Sequence, residues 1–347
     1  MHEEVVSLPG SDIIPSMGKG HVKIVLPCTN EGEWLRVTVD DILESVDVSS
    51  FEIFILLNGD RLTDLAFARE PRYRDRIRIL EVKEPLGVGN SINRAVWPGD
   101  AEYYVFLDAH SLFVKRDWLQ KSIACLEEHP EASMVQPEVV QFVYRGELDK
   151  GMPVERSRIQ EMSLAYSCRW AWPYDHPWDI AEVQTRPLAD RPYEAMAGGG
   201  MAVFVLAETF HRLGKYDSEV GGWYPECMDY CVRSWMLGHP MLVDPTVRVL
   251  HRIKQEGRRY PTRHLDVLHS IFRTAFKYLS PRRRDLAEIL FRRHGLHRQV
   301  EEALQRVKRG TWLEERARHL RERVHDDDWL FSRFSIYEER FGVVSLS

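Results

Sequence analysis

Long apolar runs are missing from this 347-residue chain. No stretch approaches the ~18–20 apolar residues of a membrane span, and the longest runs, such as Phe51–Leu57, have strand length. Cysteine is scarce. The five residues (Cys28, Cys125, Cys168, Cys227 and Cys231) are odd in number and scattered, with no CxxC metal spacing. That pattern excludes a disulfide scaffold and suits a reducing compartment. The first twenty residues lack the basic start and continuous apolar core of a signal peptide. Internal repeats and low-complexity linkers are lacking too. These absences predict a soluble, cytoplasmic protein without a transmembrane segment.

Charge is abundant but unevenly placed. The whole chain holds 47 Lys+Arg and 53 Asp+Glu, a net of −6, and its 44% hydrophobic and 29% charged residues are ordinary for a globular protein. Arg248–His325 alone carries 21 basic and 9 acidic residues, or +12, which leaves −18 for the remainder. A basic block on an acidic body points to an anionic partner or to an internal contact.

Strand and helix patterns alternate through the first 143 residues. His21–Pro27, Phe51–Leu57, Ile77–Val82, Tyr103–Leu107 and Met134–Val143 read as strands; Asn30–Val46, Gly87–Ala95 and Trp118–Glu128 read as helices. A spacing of about 30 residues per unit predicts βαβ units and a mostly parallel, Rossmann-like α/β sheet. Further on, Ala202–Leu206, Met241–Val243 and Val247–Leu250 read as strands, Pro225–Gly238 as a helix, and the chain beyond Leu265 as helices. The expected division is a segment 1–20, an α/β domain 21–256 and a basic helical C-terminal extension 257–347.

Ligands of such sheets sit beyond the carboxyl ends of the strands. Three tails are therefore site candidates: Cys28-Thr29-Asn30-Glu31, Asn58-Gly59-Asp60 and Asp108-Ala109-His110. In the last, a hard oxygen and an imidazole nitrogen two residues apart can face one divalent cation, a mix that suits Mn²⁺. Gly198 and Gly199 allow backbone to approach a diphosphate. Glu226, Asp229 and Arg233 are spaced to share a helix face, and His251 ends a strand.

In order, FLDAH, AMAGGGMAVF, LGKYDSEVGGWYPECMDYCVRSWMLGH and VRVLHR resemble the polypeptide N-acetylgalactosaminyltransferases, and more broadly the GT-A nucleotide-sugar glycosyltransferases, over about His21 to Tyr260. The resemblance implies a GT-A fold and transfer of a sugar from a nucleotide-sugar, a UDP-sugar by preference, with Mn²⁺ (or Mg²⁺). It implies Asp108, His110 and His251 as metal ligands, and Gly198 and Gly199 beside the donor sugar. It also implies Glu226 near sugar and acceptor, with Trp223 opening that motif.

Asn58-Gly59 stands where such enzymes often carry an Asp pair near uridine, and Asn58 can still meet a base edge. Asn93, in Gly87-xxx-Ser91-x-Asn93, is similar to the inverting GT-A group. Arg252, Arg258, Arg259 and Tyr260 are candidates to close over the phosphates. Where inverting relatives carry Glu-Asp, this chain has Glu226-Cys227. A thiol is a poor base for a hydroxyl, so retention is expected, with Asp229 as the displaced base if the outcome is inversion. Three acceptor readings follow: a hydroxymethylated base in DNA bound through the basic extension, a Ser or Thr of a polypeptide, and no acceptor at all in a non-catalytic sugar-nucleotide-binding scaffold.

Overall fold

A computed structural model describes residues 20–46, 48, 50–60, 62–148, 151–165, 167–172, 181–184, 187–221, 225–254 and 264–338. The first half runs Val22–Cys28 (β1), Glu33–Ser45 (α1), Phe51–Asn58 (β2), Pro71–Arg74 (α2), Ile77–Val82 (β3) and Val88–Ala95 (α3). Tyr103–Leu107 (β4), Ser111–Phe113 (β5), Trp118–Glu128 (α4) and Met134–Tyr144 (β6) follow. Then come Ile159–Ala165 (β7), Ser167–Trp172 (β8), Ala181–Gln184 (β9), Tyr193–Glu194 (β10), Ala202–Leu206 (β11) and Ala207–Arg212 (α5). Pro225–Met236 (α6) and Met241–Arg252 (β12) precede the helices His264–Tyr278 (α7), Pro281–Arg293 (α8), His297–Arg309 (α9), Trp312–Glu322 (α10) and Asp327–Arg333 (α11). Tyr337–Glu338 (β13) is last.

The main sheet has the order β10-β12-β6-β11-β4-β1-β2-β3. β3, β2, β1 and β4 are mutually parallel, as the alternating pattern predicts. Beyond β4 the sheet turns mixed, because β11 enters antiparallel between β4 and β6, while β12 runs parallel to β6. β13, β8 and β9 form a separate three-stranded sheet.

Both faces of the sheet are covered, which explains the near-continuous apolar strands. Val25, Phe54, Leu56, Tyr104 and Phe106 point to one core; Ile24, Leu26, Ile53, Ile55 and Val105 point to the other. The first core also takes in Val267, Phe272, Phe291, Val307 and Leu330 from α7, α8, α9 and α11. One apolar cluster thus spans both sides of residue 257, which itself lies outside the described residues.

Two local readings change. α1 starts at Glu33 rather than Asn30, because Asn30 (φ 55) and Gly32 (φ 62) take left-handed backbone and form a turn first. The two short strands expected at Met241–Val243 and Val247–Leu250 are one strand, β12, whose register against β6 shifts between Asp244 and Arg248. Pro245 falls in that shift, where the ladder needs no N–H.

Part of the basic block is paired within the molecule. Arg273 and Lys277 are fully buried on α7. Arg283 pairs with Asp327 at 2.6 Å, Arg292 with Glu288 at 2.9 Å, and Arg306 with Asp266 at 3.1 Å. Among the described residues no helix is long and apolar enough to cross a membrane.

Candidate active site

The tails of β4 and β12 meet. β5 is only three residues long, but it pairs antiparallel with β12 and sets His251 opposite Ser111. That register brings His251 against His110, with their Nε2 atoms 3.1 Å apart, and against Asp108, whose Oδ2 is 2.9 Å from His251 Nε2. One ligand atom from each of the three lies within 4.8 Å of the others. Two imidazole nitrogens and a carboxylate oxygen converging on one point form a donor set that suits a divalent cation.

Glu31, in the turn after β1, supports this cluster from behind. Its carboxylate is buried, lies 3.0 Å from His110 Nδ1 and accepts from Lys254 Nζ at 2.6 Å. Burial works to raise the Glu31 carboxyl, but the charges of His110 and Lys254 outweigh it and hold it at about 2. His110 Nδ1 faces Glu31, which leaves Nε2 turned toward the cluster. Burial also lowers His251, against the pull of Asp108, toward the neutral imidazole that metals bind. Burial raises Asp108, yet the hydrogen bond from His251 brings it below the ordinary carboxylate range. The residues present therefore fit a metal ion, with Asp108, His110 and His251 as ligands.

The other candidates separate. The turn holding Thr29 and Asn30 is docked onto the β2 tail: Thr29 Oγ1 donates to the Asn58 carbonyl at 3.1 Å, and the Asn30 N–H donates to Asp60 at 2.7 Å. Asn58 is buried and its Oδ1 accepts from the Leu86 N–H at 2.7 Å. That oxygen serves the approach to α3. Asn93 is revised, since its amide clasps both backbone groups of Tyr216 at 2.8 and 3.1 Å.

Gly198 and Gly199 lie on Gln136 of β6. A Cβ at Gly198 would collide with Gln136 Oε1, which accepts from the Gly199 N–H. Arg252 is buried, with its guanidinium 4.7 Å over the Trp34 ring. A cleft of about 210 Å³ beside the cluster is lined by Glu31, Trp34, Tyr144 and Arg252.

Glu226 is buried in the first turn of α6 and backs onto Gly89 of α3. Asp229 is a correction. It is fully buried, bonded to Thr274 Oγ1 at 2.9 Å and to Lys277 Nζ at 2.8 Å, and so has no access to an acceptor proton. Trp223, Arg258, Arg259 and Tyr260 lie outside the described residues.

Residues 23–177 match the family model of glycosyl transferase family 2. Among solved structures, GalNAc-T7 with UDP, GalNAc and Mn²⁺ superposes with a TM-score of 0.61 over 91% of this chain and 56% of its own, at 15% identity. The fold is GT-A. By sequence the GT-A chain is similar to polypeptide N-acetylgalactosaminyltransferase 11 of Xenopus tropicalis (27% identical, covering 70% of this chain and 40% of that protein). It is also similar to the inactive polypeptide N-acetylgalactosaminyltransferase-like protein 5 of Macaca fascicularis (24% identical, covering 60% and 44%). The chain spans less than half the length of these two relatives.

Sequence reasoning missed the partners that hold the site. Gln136 had a signal, as a polar residue inside the apolar run of β6. Lys254 follows His251 by three residues but gave no cue to Glu31, 223 residues away.

Proposed function

We propose that the protein is a metal-dependent glycosyltransferase that moves a sugar from a UDP-sugar to an acceptor hydroxyl with retention at the anomeric carbon. The observation that carries this reading is the Asp108/His110/His251 cluster with Glu31 behind it. A bound Mn²⁺ or Mg²⁺ would supply Lewis-acid stabilisation of the leaving diphosphate. The chain's own part is to hold that position with three side chains, to bring the Gly198-Gly199 backbone to the donor, and to shield it. Arg252, with Arg259 and Tyr260 after it in sequence, belongs to that shielding role.

Retention is favoured by the two positions, among the described residues, where an inverting base was expected. Position 227 is a thiol, and Asp229 is sealed against Lys277. For the acceptor we favour a Ser or Thr hydroxyl of a polypeptide, on the relatives' activities by name. The buried ion pairs of Arg273 and Arg283 count against a DNA base, because they withdraw charge that a nucleic acid would need. A cytoplasmic setting is favoured by Cys28, Cys125, Cys227 and Cys231, all free and buried.

The test is a hydrolysis screen over UDP- and GDP-sugars with Mn²⁺. Turnover of a UDP-sugar that Asp108→Ala abolishes is expected. Turnover and metal dependence unchanged in that variant would remove the metal assignment. A salt-dependent gel shift with DNA at low salt would restore the nucleic-acid reading.

A further inference from the structure

The segment from Asp217 to Asp229 contains Trp223 and Glu226, and its two ends meet at one side chain. Lys277 of α7 pairs with Asp217 and, at 2.8 Å, with Asp229. Lys277 and Asp229 are fully buried and Asp217 is nearly so. One turn earlier on α7, the buried Arg273 fork holds Asp217 at 2.7 Å and Glu219 at 2.9 Å, and reaches Glu315 of α10 at 2.7 Å. Another turn earlier, Ser270 Oγ accepts from the Gly221 N–H at 3.1 Å and lies 2.8 Å from its carbonyl oxygen. Ser270, Arg273 and Lys277 are three and four residues apart, so they form one face of α7. That face tracks the segment on both sides of the motif.

We propose that Arg273 and Lys277 are positioning residues for Glu226, so that the C-terminal helices are a structural wall of the active site. This rests on reading Glu226 as part of the acceptor side of a glycosyltransferase.

A buried ionic network is a poor source of stability, because desolvation offsets the attraction, and its better attested use is to select one arrangement. Here it ties Asp217 to Asp229 of α6, twelve positions further along the chain. It fixes Asp217 and the first turns of α6 relative to each other. Asp229 is on α6, one turn after Glu226, so the ammonium that holds Asp229 also sets where Glu226 stands against Gly89.

The test uses Arg273→Lys in the full chain, which keeps the charge and loses the fork. Three quantities are compared with wild type: hydrogen exchange at residues 217–229, affinity for UDP with Mn²⁺, and kcat for donor turnover. Faster exchange confined to the segment is expected, with UDP affinity within about twofold. The expected fall in kcat is roughly 10- to 100-fold, the scale of a misplacement near 1 Å. Unchanged exchange overturns the proposal, as does an unchanged kcat or an equal loss of UDP affinity. Should Arg273→Lys fail to fold, Ser270→Ala removes a single hydroxyl and is read the same way. If wild type turns over no donor, the glycosyltransferase reading falls; the exchange data then decide alone, acceleration supporting positioning and no change overturning it.

Discussion

Glu31→Gln separates a support from a ligand. The wild-type carboxylate is 6% exposed and accepts from two donors, His110 Nδ1 at 3.0 Å and Lys254 Nζ at 2.6 Å. Glutamine has the same length and keeps one acceptor oxygen, but its other end becomes a donor. Either His110 or Lys254 then faces an N–H across a buried contact, and the negative charge between them is gone. Loss of such an outer partner typically weakens metal binding 10- to 100-fold, or about 1.4–2.7 kcal/mol. The assay is titration of free Mn²⁺ by electron paramagnetic resonance, with Asp108→Asn alongside. Wild type should bind tightest, Glu31→Gln one to two orders of magnitude more weakly, and Asp108→Asn most weakly. A Glu31→Gln affinity within twofold of wild type, with Asp108→Asn impaired, would refute the claim that Glu31 sets the His110 ligand.

The same residue has a pH consequence. Its folded value of about 2 lies below the ordinary 4.5, so the stability it contributes is complete above about 4.5 and drains away as pH falls toward 2. Denaturation midpoints measured from pH 6 to 3 should therefore fall more steeply for wild type than for Glu31→Gln. Gly198→Ala should lose about 1–3 kcal/mol in urea unfolding through overpacking against Gln136, and adding Gln136→Ala should recover most of it. Arg283→Met strands Asp327 in a buried site, so it should cost about 3–5 kcal/mol and lower the melting temperature by on the order of 10 °C.

The parallel half of the sheet was legible because each of its strands is buried on both faces and bounded by turn residues, which local pattern records well. Asp108, His110 and His251 were singled out through the resemblance, and the structure brings the three together at the tails of β4 and β12. The mixed half was harder. β11 runs antiparallel between two strands for reasons of long-range pairing that its own five residues do not encode, and β5 is too short to leave a period. The basic block misled by its count. Arg273 and Lys277 look like solvated helix charges in sequence, yet their acids, Asp217, Glu219, Asp229 and Glu315, lie 38 to 60 positions away. Asn93 was placed by residue type, and only the fold shows that the backbone of Tyr216 uses both ends of its amide.

The β5–β12 pairing also bears on how the molecule is born. His110 and His251 are 141 positions apart, and a one-residue slip in that short ladder would put Leu250 or Arg252 where His251 belongs. During synthesis a chain released only as far as β11 holds Asp108 and His110 but no third donor. If the three side chains hold a metal as proposed, its tight capture would begin only after β12 has emerged and found its register, and metal uptake by refolding chains would time the last long-range closure of the sheet.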